Sequence, residues 1–533
     1  MPNQKAKKLN QKELNYSFKL IIKSSMFIFL LIFLSKAITY SYRVIIARFY
    51  GPEVYGLFSL GLIIFLWFVV FSSLGLLEGI LRFVSFYRGR KDMDKVRFVI
   101  RYSFVILIFS SIVSGILLYF LSGLISNYIF HNSGLIVFLK IFSFMIPAYM
   151  MLYALLSVMQ AFEKIKTHSF ISDFLQNLIK LSSFIILIFI GVNINSVVFS
   201  YFIGVLGALI IAFLYSKYKL PEIFQSFKIK KKDKIILRKE LFSYSWPLIV
   251  LGLISNIMPY IDSFVIGFFK DASAVGIYNA AVPIAELILL FPNLFMRLFF
   301  PLVTREFSKK NLSIVRELSK QIVKWILIIN LPLFVLIIIF PGAFINILFG
   351  AEYLGAENSL RFLSIGFLFT SISVVFYSLI SMIGKSKIIL INTIIISVID
   401  LILNIILVPK YGITGAAFST MLGQIALTLI FFIQVKYYTS IVPLKRKMLR
   451  IFISIIPPAL TLYYINRFIP ETGSKTLQIL YLFLQVLFFG LLYLLIIFLT
   501  KSLDKNDIMI LNSVKKKIKK EEVVVIKEVK REL

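Results

Sequence analysis

Apolar runs of bilayer-spanning length recur along this 533-residue chain and limit it to folds that suit a membrane. A helix needs roughly 20 mainly apolar residues to cross the hydrocarbon core, and we identify fourteen such runs. The composition agrees, since 59% of the residues are hydrophobic and the mean hydropathy is +0.92. Lipid offers no hydrogen-bond partner to backbone N–H and C=O groups, so only helices and closed β-barrels can cross it. Each run is too long for a barrel strand. We therefore predict an all-α polytopic membrane protein with about fourteen transmembrane helices.

The same pattern occurs twice, at an offset of about 220 residues. The clearest matches pair Ala47-Arg48-Phe49 with Gly267-Phe268-Phe269, Tyr55-Gly56-Leu57 with Val275-Gly276-Ile277, Phe199-Ser200 with Phe418-Ser419, and Lys217-Tyr218 with Lys436-Tyr437. Each copy holds six spans. Because six is even, both copies enter the membrane from the same side and form parallel repeats. Two such lobes are a transporter architecture with the substrate path between them.

This duplication sets the predicted domain boundaries. They are a basic N-terminal tail at 1–19, an N-lobe with spans one to six at 20–218, a linker at 219–242, a C-lobe with spans seven to twelve at 243–438, spans thirteen and fourteen at 439–500, and a basic C-terminal tail at 501–533. The linker is rich in lysine, so we expect it to be a flexible, charged tether rather than a folded domain.

The formal net charge of +33 is unevenly distributed. Lysine and arginine crowd both tails and the even-numbered connections, whereas the odd-numbered connections are short and nearly free of them. The positive-inside rule then places both termini in the cytoplasm. Topology and anionic membrane lipids account for the basic charge, so we expect no nucleic-acid partner.

Enzyme chemistry has little support in the sequence. The chain has no cysteine, which removes thiolate catalysis and cysteine-based metal sites. Its two histidines, His131 and His168, each stand alone at a predicted membrane edge. No glycine-rich phosphate loop of the nucleotide-hydrolysing type is present. We predict a protein that binds and moves a ligand, with no catalytic residue, no metal site and no cofactor.

Three cations lie far from the predicted membrane surfaces. Lys36 and Arg43 are two helical turns apart on the first span, with Tyr40 between them on about the same face, and Lys180 lies at mid-depth in the fifth. A charge at this depth is costly and normally faces a polar cavity. Together these residues suit an anionic cargo such as a phosphate or pyrophosphate.

The second repeat carries acids at comparable depth. The stripe that matches the first span contains Asn256 and Tyr260, with Asp262 beside them, while Asp400 matches the region of Lys180 and Glu286 lies within the eighth span. Asn256, Tyr260 and Tyr40 are candidate cavity residues. The three acids are candidate carriers of a coupling ion, and pairing with Lys36 or Arg43 to hold helices together is the alternative.

One segment carries a family resemblance. Residues 45–60, IIARFYGPEVYGLFSL, followed by Ser73-Leu74-Gly75-Leu76 and Arg82-Phe83, resemble the opening of the polysaccharide-transporter, O-antigen flippase-like family. This family belongs to the multidrug/oligosaccharidyl-lipid/polysaccharide flippase superfamily, which includes lipid II flippases and multidrug and toxin extrusion proteins. The resemblance extends over the whole span region.

The resemblance implies a flippase that moves a polyprenyl-phosphate- or diphosphate-linked oligosaccharide across the cytoplasmic membrane by alternating access. The phosphate head would then lie at Lys36, Arg43 and Lys180, and tyrosines such as Tyr42 and Tyr278 could stack on sugar rings. A proton gradient, a sodium gradient or the membrane potential could drive transport, and other glycan-assembly membrane proteins are possible partners. The alternatives are an ion-coupled exporter of organic cations and a scaffold that transports nothing.

Overall fold

The computed structural model describes residues 2–445, 448–468, 475–500 and 502, and these residues are almost entirely helical, with no strand among them. The first nine α-helices are α1 Pro2–Ser73, α2 Leu76–Gly89, α3 Met93–Leu124, α4 Leu135–Ala161, α5 Ile165–Ser169, α6 Gln176–Phe189, α7 Ser196–Lys219, α8 Lys231–Ile257 and α9 Ile261–Phe269. The other eight are α10 Ala272–Glu286, α11 Leu290–Ser308, α12 Leu312–Ile339, α13 Pro341–Leu348, α14 Glu357–Met382, α15 Ser386–Thr439, α16 Met448–Phe468 and α17 Lys475–Leu499. The all-α prediction is confirmed.

Two of the helices each contain two membrane crossings. Twelve helical segments of the described chain are long and apolar enough to span a bilayer, and two of them, Phe33–Ser73 and Ser386–Thr439, have 41 and 54 residues. Since an α-helix rises about 1.5 Å per residue, both are far longer than a hydrocarbon core of about 30 Å. Each is interrupted at a glycine of positive φ, Gly51 (79°) and Gly412 (58°), where the chain can turn. Dividing both segments there gives the fourteen predicted spans.

The second predicted span, the apolar run at 55–82, is not one continuous helix. Within this run α1 ends at Ser73 and α2 begins at Leu76. Gly75 between them has a φ of 67°, and a Cβ at this position would collide with the carbonyl oxygen of Ser245. The break therefore lets α8 approach this point more closely than a side chain would allow.

The chain divides into two compact units. The first contains the described residues up to Pro283 with Leu348–Ser359 and Ser397–Ser419, and the second contains Ile284–Ile347, Leu360–Ile396 and the described residues from Thr420 onward. These boundaries come from contacts and do not follow the sequence repeat. The predicted lobes at 20–218 and 243–438 stay a prediction.

In the first unit, α4 is the central helix and packs against α1, α2, α3 and α7. The linker that follows α7 is more ordered than its lysine content suggested. Arg97 of α3 donates from Nε to the carbonyl oxygen of Glu222, at 2.7 Å, and from Nη2 to Oε1 of Gln225, at 2.6 Å. The ring of Phe98 packs edge-on against Phe227. Arg97 on α3 therefore holds this part of the linker in place. The composition of the linker alone does not predict that contact.

The second unit has an apolar core of its own. Phe299, Leu327, Phe376 and Phe431 are among its most buried side chains. The last two helices pack on α12, where the hydroxyl of Tyr493 donates to the carbonyl oxygen of Ile328 at 3.0 Å. The two appended spans are thus integral to this unit.

Candidate functional site

Lys180 is buried among aromatic rings in the first unit. Its side chain is 6% exposed, and its ammonium lies 4.8 Å from the ring centroid of Tyr42 and 4.9 Å from that of Tyr201. The ammonium also donates to Oδ1 of Asn177 at 2.7 Å. Two aromatic faces and an amide oxygen thus stabilise a desolvated cation. We call Lys180, Tyr42, Asn177, Ser200 and Tyr201 the lysine centre.

Three helices meet at the lysine centre. A π-helical turn at Phe170–Leu175 leads into α6, which carries Asn177 and Lys180. Gly204 lets α7 lie close to α6, because a Cβ there would be 2.9 Å from Cβ of Lys180. The hydroxyl of Tyr42, from α1, donates to the carbonyl oxygen of Val197 at 2.6 Å. The centre therefore joins the first predicted span to the fifth and sixth.

The structure brings Arg43 to this centre but leaves Lys36 apart. Arg43 is half-buried and lies within electrostatic range of both Lys180 and Tyr201. Lys36 is exposed, and its ammonium is 5.9 Å from the ring centroid of half-buried Tyr40. Two helical turns, a rise of about 10 Å, separate Lys36 from Arg43 along α1. The phosphate-binding role of all three cations stays a prediction.

Half-buried tyrosines lie beside the lysine centre. Tyr149 and Tyr153 stack with their ring centroids 4.4 Å apart and their planes at 25°. Their hydroxyls are close enough to that of Tyr201 to interact electrostatically, and Tyr260 interacts with Tyr149 and Tyr201. We call these four residues the tyrosine cluster. Tyr260 was predicted as a cavity residue; the other three were not.

Two other tyrosines have buried rings. Tyr42 and Tyr278 are only 1% and 2% exposed, and Tyr42 already contacts the ammonium of Lys180. In this conformation neither ring is open to a glycan, because both are buried among protein side chains, and their stacking on a sugar stays a prediction. Asn256 is exposed and donates to the carbonyl oxygen of Gly252 within its own helix, at 2.9 Å.

Asp262 and Asp400 share a set of polar partners, which we call the aspartate centre. Nδ2 of Asn404 donates to Oδ1 of Asp262 at 2.9 Å and to Oδ1 of Asp400 at 3.2 Å. The hydroxyl of Tyr278 donates to Oδ2 of Asp262, and that of Ser419 donates to Oδ1 of Asp400 at 2.6 Å. One amide therefore bridges two carboxylates that repel each other when both are charged.

Breaks in the helices place these side chains. Asp262 follows the 3₁₀ turn Met258–Tyr260 at the start of α9. Asp400 and Asn404 are one turn apart in α15, and the turn at Gly412 returns the chain so that Ser419 reaches Asp400. Gly415 supports this return, because a Cβ there would be 2.6 Å from the carbonyl oxygen of Leu407.

The aspartate centre has one unused acceptor. Oδ1 of Asn404 is fully buried and has no hydrogen-bond partner. A buried acceptor beside two carboxylates suits a proton or a small monovalent cation. The described residues hold no cluster of three or more acidic, histidine or cysteine side chains of the kind that binds a multivalent metal. Glu286, the third predicted ion carrier, is half-buried at the end of α10 and belongs to the second unit.

The two centres occupy equivalent positions in the repeat. An offset of 220 places Tyr42 on Asp262 and Lys180 on Asp400, and an offset of 219 places Ser200 on Ser419. In each centre the serine hydroxyl contacts another member, Tyr42 in the first and Asp400 in the second. The duplicated scaffold thus carries a cation in one copy and carboxylates in the other.

Sequence comparisons place the chain among membrane transporters. A protein-family model described as polysaccharide biosynthesis protein matches residues 21–307, and the MatE model matches residues 247–406. An uncharacterized membrane protein of Methanocaldococcus jannaschii is 27% identical over 73% of this chain and 79% of its own length. A candidate O-antigen transporter of Shigella flexneri is 24% identical over 70% of this chain and 88% of its own. The lipid II flippase MurJ of Bacillus subtilis is 22% identical over 73% and 78%.

The fold has a close counterpart among solved structures. The inward closed conformation of lipid II flippase MurJ superposes with a TM-score of 0.68 at 20% identity, covering 88% of this chain and 98% of that one. This likeness concerns the fold alone. The polysaccharide biosynthesis model covers more than half of the sequence, and this chain therefore belongs to the polysaccharide biosynthesis protein family of polytopic membrane proteins.

Proposed function

We propose that this protein is a flippase that moves a polyprenyl-phosphate- or diphosphate-linked oligosaccharide across the cytoplasmic membrane. Family membership and the names of the O-antigen transporter and lipid II flippase relatives support this function. The observation that carries it is the juxtaposition of Arg43 and the lysine centre with the tyrosine cluster. Cations beside half-buried aromatic rings suit a ligand in which an anionic group adjoins a sugar.

Each part of the substrate has a separate place in this proposal. Arg43 contacts the phosphate oxygens, Lys180 adds positive charge from its buried position, and the exposed Lys36, two turns away on α1, adds positive charge at longer range. Arginine suits phosphate because its planar fork donates two parallel hydrogen bonds. The polyprenyl tail stays in the bilayer, so only the polar head needs a path through the protein. Alternating access then exposes this path to one side of the membrane at a time.

We propose that the aspartate centre binds the coupling ion. Two carboxylates that share one amide favour the uptake of a positive charge, whether a proton or a sodium ion. The buried, unused oxygen of Asn404 supplies a further ligand. Ion binding at this centre would favour one of the states between which the protein alternates. Glu286 is the other candidate, and the membrane potential could add to either gradient.

The second candidate function is an ion-coupled exporter of organic cations. The MatE family match at 247–406 favours it, and this range contains both Asp262 and Asp400. Such an exporter would place acids rather than cations next to its cargo. Arg43 and Lys180 beside the tyrosine cluster count against this function.

The proposed setting of the flippase follows from charge. We propose that both termini are cytoplasmic and that the basic tails and linker contact anionic lipid heads. Other glycan-assembly membrane proteins are proposed partners, because a flipped glycan must be delivered to the enzymes that use it.

Transfer in proteoliposomes tests the proposed function. The probe is a fluorescent polyprenyl-diphosphate-linked glycan, and its transfer between leaflets is measured for the wild type and for Arg43→Ala at matched folded protein. We expect transfer by the wild type and a loss of at least tenfold in the variant, since a charge-assisted pair to phosphate is removed. Export of an organic cation under an ion gradient, without glycan transfer, would instead establish the second candidate.

A further inference from the structure

The half-buried tyrosines of α4 face away from the lipid. Val137 and Phe144 are 44% and 65% exposed and lie two turns apart, so they mark the exposed apolar side of α4, which we expect to contact lipid. Tyr149 and Tyr153 are five and nine residues beyond Phe144, which at 100° per residue turns them about 140° and 180° from it. Their exposed fraction therefore lies on the opposite side of the helix.

The same argument applies to Tyr201 of α7. Phe199 and Ile203 are each 39% exposed and flank Tyr201 by two residues. Two residues turn the chain by about 200°, so Tyr201 also lies opposite a lipid-facing pair. Both helices pack against each other in the first unit. Their half-buried tyrosines thus turn toward the interior, where Tyr201 contacts the ammonium of Lys180 and interacts with Arg43.

We propose that Tyr149 and Tyr153 form a platform for the sugar ring nearest the phosphate of the lipid-linked glycan. This inference rests on the proposed function and names the residues that read the glycan. The ligand class is a pyranose that carries a phosphate or diphosphate at its anomeric carbon. The two tyrosines cover each other's facing surfaces, so the apolar face of the sugar ring packs on the part of the pair that this stacking leaves open, while the phosphate reaches Arg43.

The chemistry of the cluster fits such a ligand. A pyranose has an apolar face of C–H groups and a rim of hydroxyls, so it needs aromatic surface and hydrogen-bonding groups together. The stacked pair supplies the surface, since the two rings hold each other in one orientation at 4.4 Å. The phenol hydroxyls of the tyrosine cluster supply donors and acceptors at the ring edges.

Two lipid probes of equal tail length separate glycan recognition from phosphate recognition. One carries a fluorescent disaccharide on polyprenyl diphosphate, and the other carries the fluorophore on the diphosphate through an alkyl linker, with no sugar. Transfer of both is measured in proteoliposomes for the wild type, Tyr149→Leu, Tyr153→Leu and Tyr149→Phe. Tyr128→Leu is the control, because Tyr128 is 74% exposed and lies outside the cluster. All variants are compared at matched folded protein.

We expect both leucine variants to transfer the sugar probe about three- to tenfold more slowly and the sugar-free probe at the wild-type rate. Tyr149→Phe should retain most of the transfer, because the ring remains. An equal loss for both probes would show that the tyrosines only support the fold and would overturn the platform. Unchanged transfer of the sugar probe would overturn it as well while leaving the flippase function intact. A wild type that transfers neither probe would refute the proposed function, and the platform with it.

Discussion

At the scale of single residues, Lys180 has contacts that hold the fold together and is also a proposed ligand of the phosphate head. Its ammonium lies between two tyrosine rings and on one amide, and these partners come from α1, α6 and α7. A buried cation held this way joins helices, whatever it adds to the binding of an anion. A substitution must therefore be assessed for folding and for transport separately.

We predict that Lys180→Met changes the free energy of unfolding by less than about 2 kcal/mol, the upper range for desolvated cation–π contacts, because the loss of those contacts is offset by the avoided cost of burying a charge near Arg43. Methionine keeps most of the aliphatic volume, so the difference reports the charge. Chemical denaturation in detergent measures it. The control is Lys140→Met, because Lys140 lies 5.1 Å from the ring of Tyr119 but is less buried. A loss of stability well above about 2 kcal/mol for Lys180→Met, or an effect equal to that of Lys140→Met, would contradict this balance at the lysine centre.

The aspartate centre gives a second residue-scale prediction. If it binds the coupling ion, the ion stabilises the folded protein by mass action, by about 2.7 kcal/mol at 100 times its Kd. If the ion is sodium, we expect the unfolding temperature of the wild type to rise with sodium at constant ionic strength. If the ion is a proton, we expect the unfolding temperature to rise as the pH falls, because the folded protein binds the proton more tightly than the unfolded chain does. Asp400→Asn should flatten that response.

Asp271→Asn controls for a general effect of lost charge, since Asp271 is exposed and lies outside the aspartate centre. Asp262→Asn should behave like Asp400→Asn, because both carboxylates bond the same amide. If sodium and pH changed the unfolding temperature equally in the wild type and in both variants, the ion would not bind at the aspartate centre.

The sequence predicted the charged residues of each centre but not most of their polar partners. Asp262 and Asp400 were singled out because charges are rare in apolar runs, and Lys180 for the same reason. Asn404, Ser419 and Tyr201 were missed as members of the centres, since amides, serines and tyrosines in such runs are equally common as packing or interfacial residues. These residues reach the charged groups because of the side of the helix on which they lie and, for Ser419, because the chain turns back at Gly412. Spacing along the sequence does not predict these contacts.

At the scale of helices, a glycine crossing joins equivalent elements of the two repeats. A Cβ at Gly56 would collide with the carbonyl oxygen of Ala272, and one at Gly276 would collide with that of Pro52. Gly56 matches Gly276 and Pro52 matches Ala272 at the offset of 220, so the contact is the same from both sides. The sequence marked these glycines as repeat landmarks but could not show that they touch.

We predict that Gly56→Ala and Gly276→Ala each destabilise this conformation by about 2–4 kcal/mol, because a backbone oxygen cannot move aside as a side chain can. Thermal unfolding of each variant measures the effect. Gly123→Ala is the control, since a Cβ there meets no atom within 4 Å and alanine favours a helix. If Gly56→Ala were as stable as Gly123→Ala, the close crossing would not exist in the protein.

At the scale of the whole molecule, the prediction that matters most is orientation, because it decides the direction in which a lipid-linked glycan moves. The net charge of +33 is concentrated on the tails and even-numbered connections, which should lie in the cytoplasm. The chain has no cysteine, so a single introduced thiol reports one position. We expect an impermeant maleimide to label Asn193→Cys, on the fifth connection, in intact cells, and Ser226→Cys, in the linker, only in inverted vesicles. The wild type provides the blank. The reverse labelling pattern would place the termini outside and would make the basic linker contact the outer leaflet, which removes the physical reason for its charge.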